Sequence, residues 1–540
     1  MNDKSKSSFK VQFFLIFILT FVFSLSFFRS VLSGDEEFVL FLFGPELSES
    51  PGKVFTWAIH GSISGWNTGR FISPISHILS NAGVLLSFKT SQFLLIDVIT
   101  ANAIWRSLLT SVIGILAMLI LLKFIPKNIP LSEKKFQLSL FAVVFPIVMV
   151  TNSPWSATRI SIWSYHILLI LTMVLLLTYL LISTIDKTHK TKFQTALLTV
   201  VAPALLGVAF ATTYELSMTL APLAIFAFSS LKWINSTSKS SMLIGVTRNF
   251  GCRENVVFFL FFLFPFLIIR LRAYLYCRNY SCYSSSNLTT SDFSISNVFE
   301  RAVSSLPVIS IPLGLNKDWS LASSPVLIFG SAIVGIFFVL VFRSFADKYY
   351  GSYFDSSLPN MKKWRFLVSL LGVLMTLLIA TGMSLSEAIQ QNQDPLQAIT
   401  SNQDTLVLNV AVSYMVFALF SVFASKVRVG FDFIRHGLYL IVFVVATLGF
   451  LSNTVVTKDS FVVPGKMLQV RFATELSQPD LTNLGDSRRC SLVKQKLNDY
   501  PEWRGHDLFL FSGLNLAMTQ KAGVPFCSES MDSLFANYVD

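Results

Sequence analysis

"VQFFLIFILTFVFSLSFF", residues 11–28, is a largely apolar run without a single charged side chain. A helix of about 18 residues is about 27 Å long, close to the thickness of the hydrocarbon core of a bilayer. Lysines precede the run, as in a secretory signal peptide, but the apolar region of a signal peptide usually has only about 7–15 residues. We therefore interpret the run as an uncleaved first membrane span.

Further apolar runs of similar length follow along the chain. They lie at about 103–124, 136–151, 161–183, 194–212, 216–231, 256–271, 323–342, 366–383, 405–424 and 437–452. The 540 residues are 53% hydrophobic and only 13% charged, about half the charged share of a soluble domain. Together with the first run, this pattern predicts an all-α polytopic membrane protein with about 11 transmembrane helices.

The loops between these runs differ in lysine and arginine content. Basic loops such as "KFIPKNIPLSEKK" (123–135) and "DKTHKTK" (186–192) alternate with loops such as "TYELS" (213–217), which has no basic residue. Because basic loops stay in the cytoplasm, the N-terminus is predicted to be cytoplasmic and the C-terminus extracytoplasmic. The same loops explain much of the formal net charge of +12 without a nucleic-acid partner.

Most residues outside the predicted spans fall into three extracytoplasmic segments, 30–102, 272–322 and 453–540. The first contains short apolar stretches separated by Gly and Pro, which we interpret as interfacial helices with aromatic residues such as Trp57 and Trp66 at headgroup depth. The third mixes strand-like and helix-like patterns. We predict a transmembrane domain at 1–452 and a small α+β C-terminal domain at 453–540.

The cysteines follow the same division. Cys277 and Cys282 lie in the second extracytoplasmic segment, Cys490 and Cys527 in the third, and Cys252 on the cytoplasmic side. Two pairs outside and one single thiol inside fit an oxidising exterior such as the periplasm, so we predict the disulfides Cys277–Cys282 and Cys490–Cys527. Two sets of unpaired thiols are the alternative.

Three consecutive carboxylates, Asp35, Glu36 and Glu37, follow the first span. Placing them in hydrocarbon would cost roughly 2.5–3.5 kcal/mol each, so we expect them at the membrane surface or in a polar cavity. They are either a solvated helix end or part of a site. The same extracytoplasmic segment contains "GWNTGRF" (65–71), in which Arg70 supplies a fixed cation for phosphate. A proton-accepting acid and a phosphate-binding arginine are a minimal group-transfer site.

In these motifs the chain resembles the GT-C-type polytopic glycosyltransferases, in particular bacterial enzymes that modify surface polysaccharide with sugars from polyprenyl-phosphate donors. The resemblance covers about residues 10–220 and includes "DEE", "GWNTGRF" and the layout of "SPWSATRISIWSYH" (153–166) and "TTYELS" (212–217). It implies a GT-C fold in the bacterial cytoplasmic (inner) membrane. It also implies transfer of a single hexose, glucose being expected, to an envelope glycan such as the O-antigen of lipopolysaccharide.

We predict that Asp35 is the general base and that Glu36 supports it, because Asp35 lies nearest the span, where lower polarity raises its pKa. Many members have Asp where this chain has Glu36, so the assignment of the base between the two carboxylates stays open. Candidate substrate-binding residues are Trp66, Arg70, Arg159, His166, Glu215, Arg270 and Arg272. The arginines are predicted on the outer side, where they would stabilise a donor phosphate.

Several of these residues also have simpler interpretations. Glu215 interrupts a long apolar stretch and is either functional or a turn carboxylate facing headgroups. His166 lies in an aromatic group that anchors a helix at the interface. Arg106, near the start of the second span, is interpreted as a side chain that snorkels to the membrane surface. No His or Cys spacing indicates a metal site, and a requirement for a divalent cation stays open.

Two other classes of membrane protein compete with this interpretation. A polysaccharide polymerase or ligase also has many spans, but usually carries its large outer loop in mid-chain. A lipid-linked sugar transporter or flippase needs polar residues at mid-membrane and related halves. The last four predicted spans contain almost no ionisable residue, and the sequence contains no evident internal repeat. Both observations favour a glycosyltransferase.

Overall fold

The structure is a computed structural model of the chain. It describes residues 9–27, 44, 47–67, 74–96, 98–126, 129–151, 164–185, parts of 200–208, 253–279, 293–304, 306–350, 359–385, 404–426, 432–460, 485–499, 515 and 524–530. Within these ranges the secondary structure is helical, and no β-strand occurs. The predicted α+β character of the C-terminal segment therefore stays a prediction.

The described helices are numbered in chain order. They are α1 Lys10–Ser24, α2 Lys53–Asn67, α3 Pro74–Leu94, α4 Val98–Phe124, α5 Leu131–Val150, α6 Ser164–Ile185, α7 Arg253–Asn279, α8 Ile295–Ser304, α9 Pro307–Lys317, α10 Trp319–Ala322, α11 Pro325–Tyr350, α12 Pro359–Ser384, α13 Asp404–Lys426, α14 Asp432–Ser460 and α15 Asp486–Asp499. A 3-10 turn, Leu25–Phe27, extends α1.

Five helices in the described part of the chain, α4, α7, α11, α12 and α14, are long and apolar enough to cross a membrane. The bent pair α8 and α9 raises the number to six if it is one span. Helices α1, α5, α6 and α13 coincide with four further predicted spans. The chain is thus a multi-pass membrane protein. The predicted spans at 194–212 and 216–231 fall largely or wholly outside the described residues, so the total of 11 stays a prediction.

One hydrophobic core joins α1, α4, α5, α6, α11, α12, α13 and α14, and α7 contributes Phe262 to it. In this core, Tyr414 of α13 donates a hydrogen bond to the carbonyl oxygen of Ala117 in α4, at 2.9 Å. The same ring stacks on Phe141 of α5 with ring centroids 5.6 Å apart. A buried phenol needs a partner for its hydroxyl, so Tyr414 fixes α13 against both neighbours.

Two antiparallel pairs, α11 with α14 and α12 with α13, approach closely at glycines. A Cβ atom on Gly372 of α12 would lie 2.5 Å from the backbone nitrogen of Met415 in α13. A Cβ atom on Gly335 of α11 would lie 3.0 Å from the carbonyl oxygen of Phe443 in α14. Small residues of this kind let membrane helices gain van der Waals contact along their backbones.

A closed ring of four buried polar side chains joins α5, α12 and α13. The Arg365 guanidinium lies 3.7 Å from the Glu133 carboxylate and donates through Nε to Ser421 Oγ at 3.1 Å. Ser421 donates to Gln137 Oε1 at 2.7 Å, and Gln137 Nε2 donates to Glu133 at 2.7 Å. We call this the Arg365 end of the bundle.

The Arg365 end brings together the first turn of α5, the first turns of α12 and the last turns of α13. The C-terminal end of α4 lies beside the C-terminal half of α6, because the ammonium of Lys123 lies 5.9 Å from the ring centre of Tyr179. These relative directions agree with the predicted alternation of the spans. Which end faces the cytoplasm stays a prediction.

Arg106 does not snorkel, so the sequence interpretation of this residue is wrong. Its side chain is fully buried in α4. It is followed by the buried polar residues Ser107, Thr110 and Ser111, and the preceding turn carries Asn102, whose amide donates to Ser87 of α3 at 3.1 Å. Arg106 thus lies among buried polar residues of α4, and its side chain does not reach the surface of the protein.

Helices α2 and α3 form a hairpin in the first long segment. Val54, Ala58 and Ser62 lie along one face of α2 and are buried, while Asn81 of α3 donates to the carbonyl of Val54 at 3.3 Å. An adjoining face exposes three large apolar side chains, Phe55, Ile59 and Ile63. Trp57 is half-buried and carries the Lys53 ammonium 5.8 Å from its ring centre. Interfacial placement of α2 stays a prediction.

The C-terminal segment is organised around one confirmed disulfide. Cys490 of α15 is bonded to Cys527, with Cα atoms 4.9 Å apart and 37 residues apart in sequence. In the chain-entropy model, closing such a loop stabilises the fold by roughly 4 kcal/mol. Arg489 donates to the carbonyl of Phe526 at 2.6 Å, and Lys494 pairs with Glu529 at 2.7 Å. Residues 524–530 are thus attached to α15 by covalent and polar contacts.

Candidate functional site

The candidate site lies where α1, α5, α13 and α14 meet at the end of the bundle opposite the Arg365 end. Asn453 of α14 is fully buried. Its amide nitrogen lies 3.1 Å from the carbonyl oxygen of Val150 and 3.4 Å from Ser26 Oγ. One side chain therefore contacts the last residue of α5 and the 3-10 turn that ends α1. We call this the Asn453 end.

A second buried amide repeats the same contact one residue earlier. Asn409, in the first turns of α13, donates to the carbonyl oxygen of Met149 at 3.2 Å. The last carbonyls of a helix have no partner within the helix, and leaving them unsatisfied in an apolar core is costly. Asn409 and Asn453 satisfy two successive carbonyls and so fix where α5 ends.

Apolar contacts surround these hydrogen bonds. A Cβ atom on Gly449 of α14 would lie 3.1 Å from the Phe23 ring, 3.2 Å from Thr151 Oγ1 and 3.6 Å from Ile311 of α9. The Phe23 ring also meets Phe450 edge-to-face, with centroids 5.9 Å apart. The glycine leaves room for α1, α5 and α9 to converge on α14. The Asn453 end is therefore densely packed as well as hydrogen-bonded.

Two of the predicted motifs, the acidic run and the "SPWSATR" loop, follow in sequence from residues at this end. Asp35 follows Phe27 by eight positions, and Arg159 follows Thr151 by eight. Eight residues span at most about 28 Å when fully extended. The acidic run and the "SPWSATR" loop therefore start from neighbouring anchor points held by Asn453. This common origin is the geometric basis for treating them as one site.

Most of the predicted site residues themselves lie outside the described residues. They are Asp35, Glu36, Glu37, Arg70, Arg159 and Glu215. Trp66 belongs to the last turn of α2 and His166 to the first turn of α6, but only their backbone positions are described. The contacts of these residues with one another stay predictions.

Arg270 and Arg272 lie on α7, away from the Asn453 end. Arg270 is half-buried and Arg272 is exposed. Within the described residues, α7 makes no extensive contact with the helices that form the Asn453 end. Nine residues, about 14 Å of helix, separate Arg270 from the end of α7 at Asn279. The structure does not bring these two arginines together with the anchors of the acidic run.

Only one cysteine of the predicted disulfide at the end of α7 lies within the described residues. Cys277 is disulfide-bonded. Its predicted partner, Cys282, lies outside the described residues, so the identity of the partner stays a prediction.

Sequence reasoning missed three buried polar residues close to this end. Asn409 stands inside the predicted span 405–424, and a polar amide within a predicted span is a detectable signal of helix contact. Asn453 lies one position beyond the predicted span 437–452 and carried no such signal. Arg301 of α8 is fully buried, although it falls in a segment interpreted as an outer loop. Its signal is the alternation in "ISNVFERAVS" (295–304), in which apolar residues recur every three or four positions.

Within the described ranges, no group of three or more His, Cys, Asp or Glu side chains is arranged to hold a metal ion. The acidic run is not part of those ranges, so the question of a divalent cation there is open. The chain matches no protein-family model, no curated protein and no solved structure.

Proposed function

We propose that this protein is a GT-C-like glycosyltransferase of the bacterial cytoplasmic membrane. It transfers a single hexose, glucose being the expected one, from a polyprenyl-phosphate donor to an envelope polysaccharide such as O-antigen on the extracytoplasmic face. The observation that carries the proposal is the double contact of Asn453 with Val150 and Ser26. It gives the acidic run and the Arg159 loop a common origin at one end of a membrane bundle.

The reaction needs two groups from the protein, a base and a cation. A carboxylate of the acidic run takes the proton of the acceptor hydroxyl, whose oxygen forms the new bond to the anomeric carbon. The bond from that carbon to the donor phosphate oxygen breaks, and polyprenyl phosphate leaves as an anion. Adjacent carboxylates raise one another's pKa, which improves one of them as a base. An arginine such as Arg70 or Arg159 stabilises the departing phosphate.

The test compares three isosteric substitutions in the acidic run. Asp35→Asn keeps the shape but cannot accept a proton, and we expect sugar transfer to fall by about 10²–10⁴-fold. Glu37→Gln, two positions further on, is the matched control and should retain activity. The assay measures transfer from a polyprenyl-phosphate hexose in membranes that contain equal amounts of each variant. Collapse only in Glu36→Gln would move the base by one residue, and full activity in all three would refute the proposal.

The product separates the proposed reaction from its rivals. A glycosyltransferase of this kind adds one side-branch sugar to the envelope polysaccharide when the protein is present. A change in polysaccharide chain length would indicate a polymerase or ligase instead. Movement of lipid-linked sugar across vesicles without any glycan product would indicate a flippase.

A further inference from the structure

A bent pair of helices, α8 and α9, packs against two membrane-spanning helices. The segments Ile295–Val303 and Pro307–Asn316 meet at an angle of 79°. Val298 and Ala302 of α8 pack with Ala380 of α12, next to Leu377. Ile311 and Gly314 of α9 lie against α14. The sequence interpretation treated this whole segment as part of an extracytoplasmic loop.

The contacts of α8 place it beside the apolar part of α12, a few residues before the end of that helix. The span within α12 ends at Ser384. At 1.5 Å per residue, Ala380 lies about 6 Å and Leu377 about 10 Å below that end. The residues of α8 that touch them are therefore at the level of the hydrocarbon, within the range of about 5–10 Å at which amphipathic helices settle in a leaflet.

The contacts of α9 give the same depth independently. The apolar part of α14 ends at Val456, because the polar residues Thr457, Lys458 and Asp459 follow, although the helix itself continues to Ser460. A Cβ atom on Gly314 would clash with Ser452 and lie 3.2 Å from Val456, whereas Ile311 lies beside Gly449, about 10 Å below the end of the span. Helix α9 thus rises along α14 towards the surface. Because α8 makes an angle of 79° with the rising part of this pair, α8 lies roughly in the membrane plane.

The uncovered side of α8 carries an apolar stripe next to the polar pair Ser296 and Glu300. Ile295, Phe299 and Val303 recur every four residues on one side of the helix and are 70%, 54% and 38% exposed. The adjoining face, with Val298 and Ala302, is buried against α12. A stripe of large apolar side chains at hydrocarbon depth, continuous with a membrane-spanning helix, has the chemistry of a surface that contacts acyl chains.

We infer that Ile295–Lys317 forms a re-entrant element that enters the leaflet at the Asn453 end and leaves on the same side, with Ile295, Phe299 and Val303 in contact with lipid acyl chains. The exit is marked by Asp318, whose carboxylate accepts a hydrogen bond from the amide of Leu321 at 2.9 Å. That bond and a second one from Ser320 lower the pKa of Asp318, as suits a solvated surface group. Trp319, the next residue, is exposed at this level.

The element has a direct link to the Asn453 end. Ile311 of α9 packs beside Gly449, next to Phe23 and Thr151, and Leu306 at the bend packs against the main core. The re-entrant element is therefore in direct contact with the residues that anchor the ends of α1 and α5. The inference does not depend on the proposed reaction, because it concerns depth and lipid contact alone.

The first test measures depth with nitroxide labels on single cysteines. The full-length protein, with Cys252→Ser as background, is reconstituted in phosphatidylethanolamine and phosphatidylglycerol vesicles. We expect a label at Phe299→Cys to be relaxed by oxygen, which dissolves in lipid, and shielded from a water-soluble nickel chelate. A label at Ser320→Cys should show the opposite ratio. A label at Ala302→Cys, on the buried face of α8, should be shielded from both.

Two results would overturn the inference. Strong relaxation of the Phe299 label by the nickel chelate would place α8 in water. Spin–spin broadening at Phe299 that persists on dilution into excess lipid would mean that a second copy of the chain covers the stripe.

The second test asks whether the element crosses the membrane. Cysteines at Ser296 and Ser320, on opposite sides of the bend and both exposed, are treated with a membrane-impermeant maleimide in sealed vesicles. A re-entrant element predicts labelling of both from the same side of the membrane. Labelling of the two positions from opposite sides would make α8 and α9 one broken span and refute the inference.

Discussion

Glu133 and Arg365 form a buried ion pair within a ring that Gln137 and Ser421 complete. Removing two charges from water costs more than their attraction returns, unless hydrogen bonds satisfy the remaining donors and acceptors. Gln137 and Ser421 supply such bonds here. The ring therefore fixes the register of α5, α12 and α13. Each of its four side chains relies on the others to satisfy its charge or its hydrogen bonds.

Loss of one partner should be worse than loss of both. We expect Glu133→Gln and Arg365→Met each to lower the free energy of unfolding by about 3–5 kcal/mol, because each leaves a buried charge without its counterpart. The double variant should lose less than the sum. Unfolding titrations in detergent form a double-mutant cycle, with Lys135→Met on a less buried side chain of the same turn as the control. Strict additivity would show that the pair is not coupled.

Asp486 makes the C-terminal segment sensitive to acid. Its carboxylate accepts from the amide of Ser528 at 2.9 Å and from the Ser528 hydroxyl, and Arg489 lies 3.4 Å away. The Ser528 hydroxyl contributes most to lowering the pKa of Asp486, and the Ser528 amide and Arg489 lower it further. A carboxyl with a lowered folded-state pKa stabilises the fold above its unfolded pKa of about 3.9, and this contribution is lost as the pH falls through the folded value.

The corresponding measurement compares Asp486→Asn with the unmodified protein across pH. We expect the difference in amide-exchange protection at Ser528 to be present at neutral pH, to shrink as the pH falls below about 4, and to vanish below the lowered folded-state pKa of Asp486, where both proteins carry an uncharged side chain. Lys494→Met, which removes a partner of Glu529 in the same segment, is the control. A difference that stays constant down to the lowest pH would exclude the carboxylate as its cause.

At the scale of helices, glycine positions decide how closely two spans approach. Gly335 of α11 faces the backbone of Phe443 and the side chain of Thr447 in α14, whereas Gly330, on the same helix, has no atom within 4 Å of a new Cβ. We expect Gly335→Val to destabilise the protein by about 1–3 kcal/mol through overpacking. Gly330→Val should have little effect. Thermal unfolding in detergent compares the two, and equal losses would attribute the effect to the valine itself.

The extent of the helices was partly predictable from the sequence. Apolar runs locate α1, α4 and α11 because hydrocarbon requires an apolar surface over about 20 residues. They do not locate the end of α14, which continues to Ser460 beyond the predicted limit at 452, since polar residues extend a helix without leaving a hydropathy signal. Helices α8 to α10 are short and amphipathic. A search for long apolar runs does not detect such helices, so the segment was predicted to be part of a loop.

The geometry of the Asn453 end was not predictable from the sequence. Asn409 and Met149 are separated by 260 residues, and Asn453 and Val150 by 303. No local pattern reports such contacts, because they depend on which spans become neighbours in the bundle. The motifs themselves were identifiable, since carboxylates beside a span are costly enough to be noticed.

At the scale of the whole molecule, the sidedness of the bundle is the main prediction. A reporter active only in the periplasm should be active when fused after Asp540 and silent when fused near Lys190, because the loop at 186–192 is basic. A reporter active only in the cytoplasm serves as the reciprocal control. Activity of the periplasmic reporter at Lys190 would show that the Arg365 end faces the periplasm. The Asn453 end and the acidic run would then face the cytoplasm.

The bond between Asn453 and Ser26 also governs how the protein is made. The two residues are 427 positions apart, so at about 5–20 residues per second the ribosome reaches Asn453 roughly 20–90 s after Ser26. During that interval α1 lacks its contact with Asn453 of α14. A nascent chain interrupted before α14 therefore leaves the ends of α1 and α5 without the side chain that joins them.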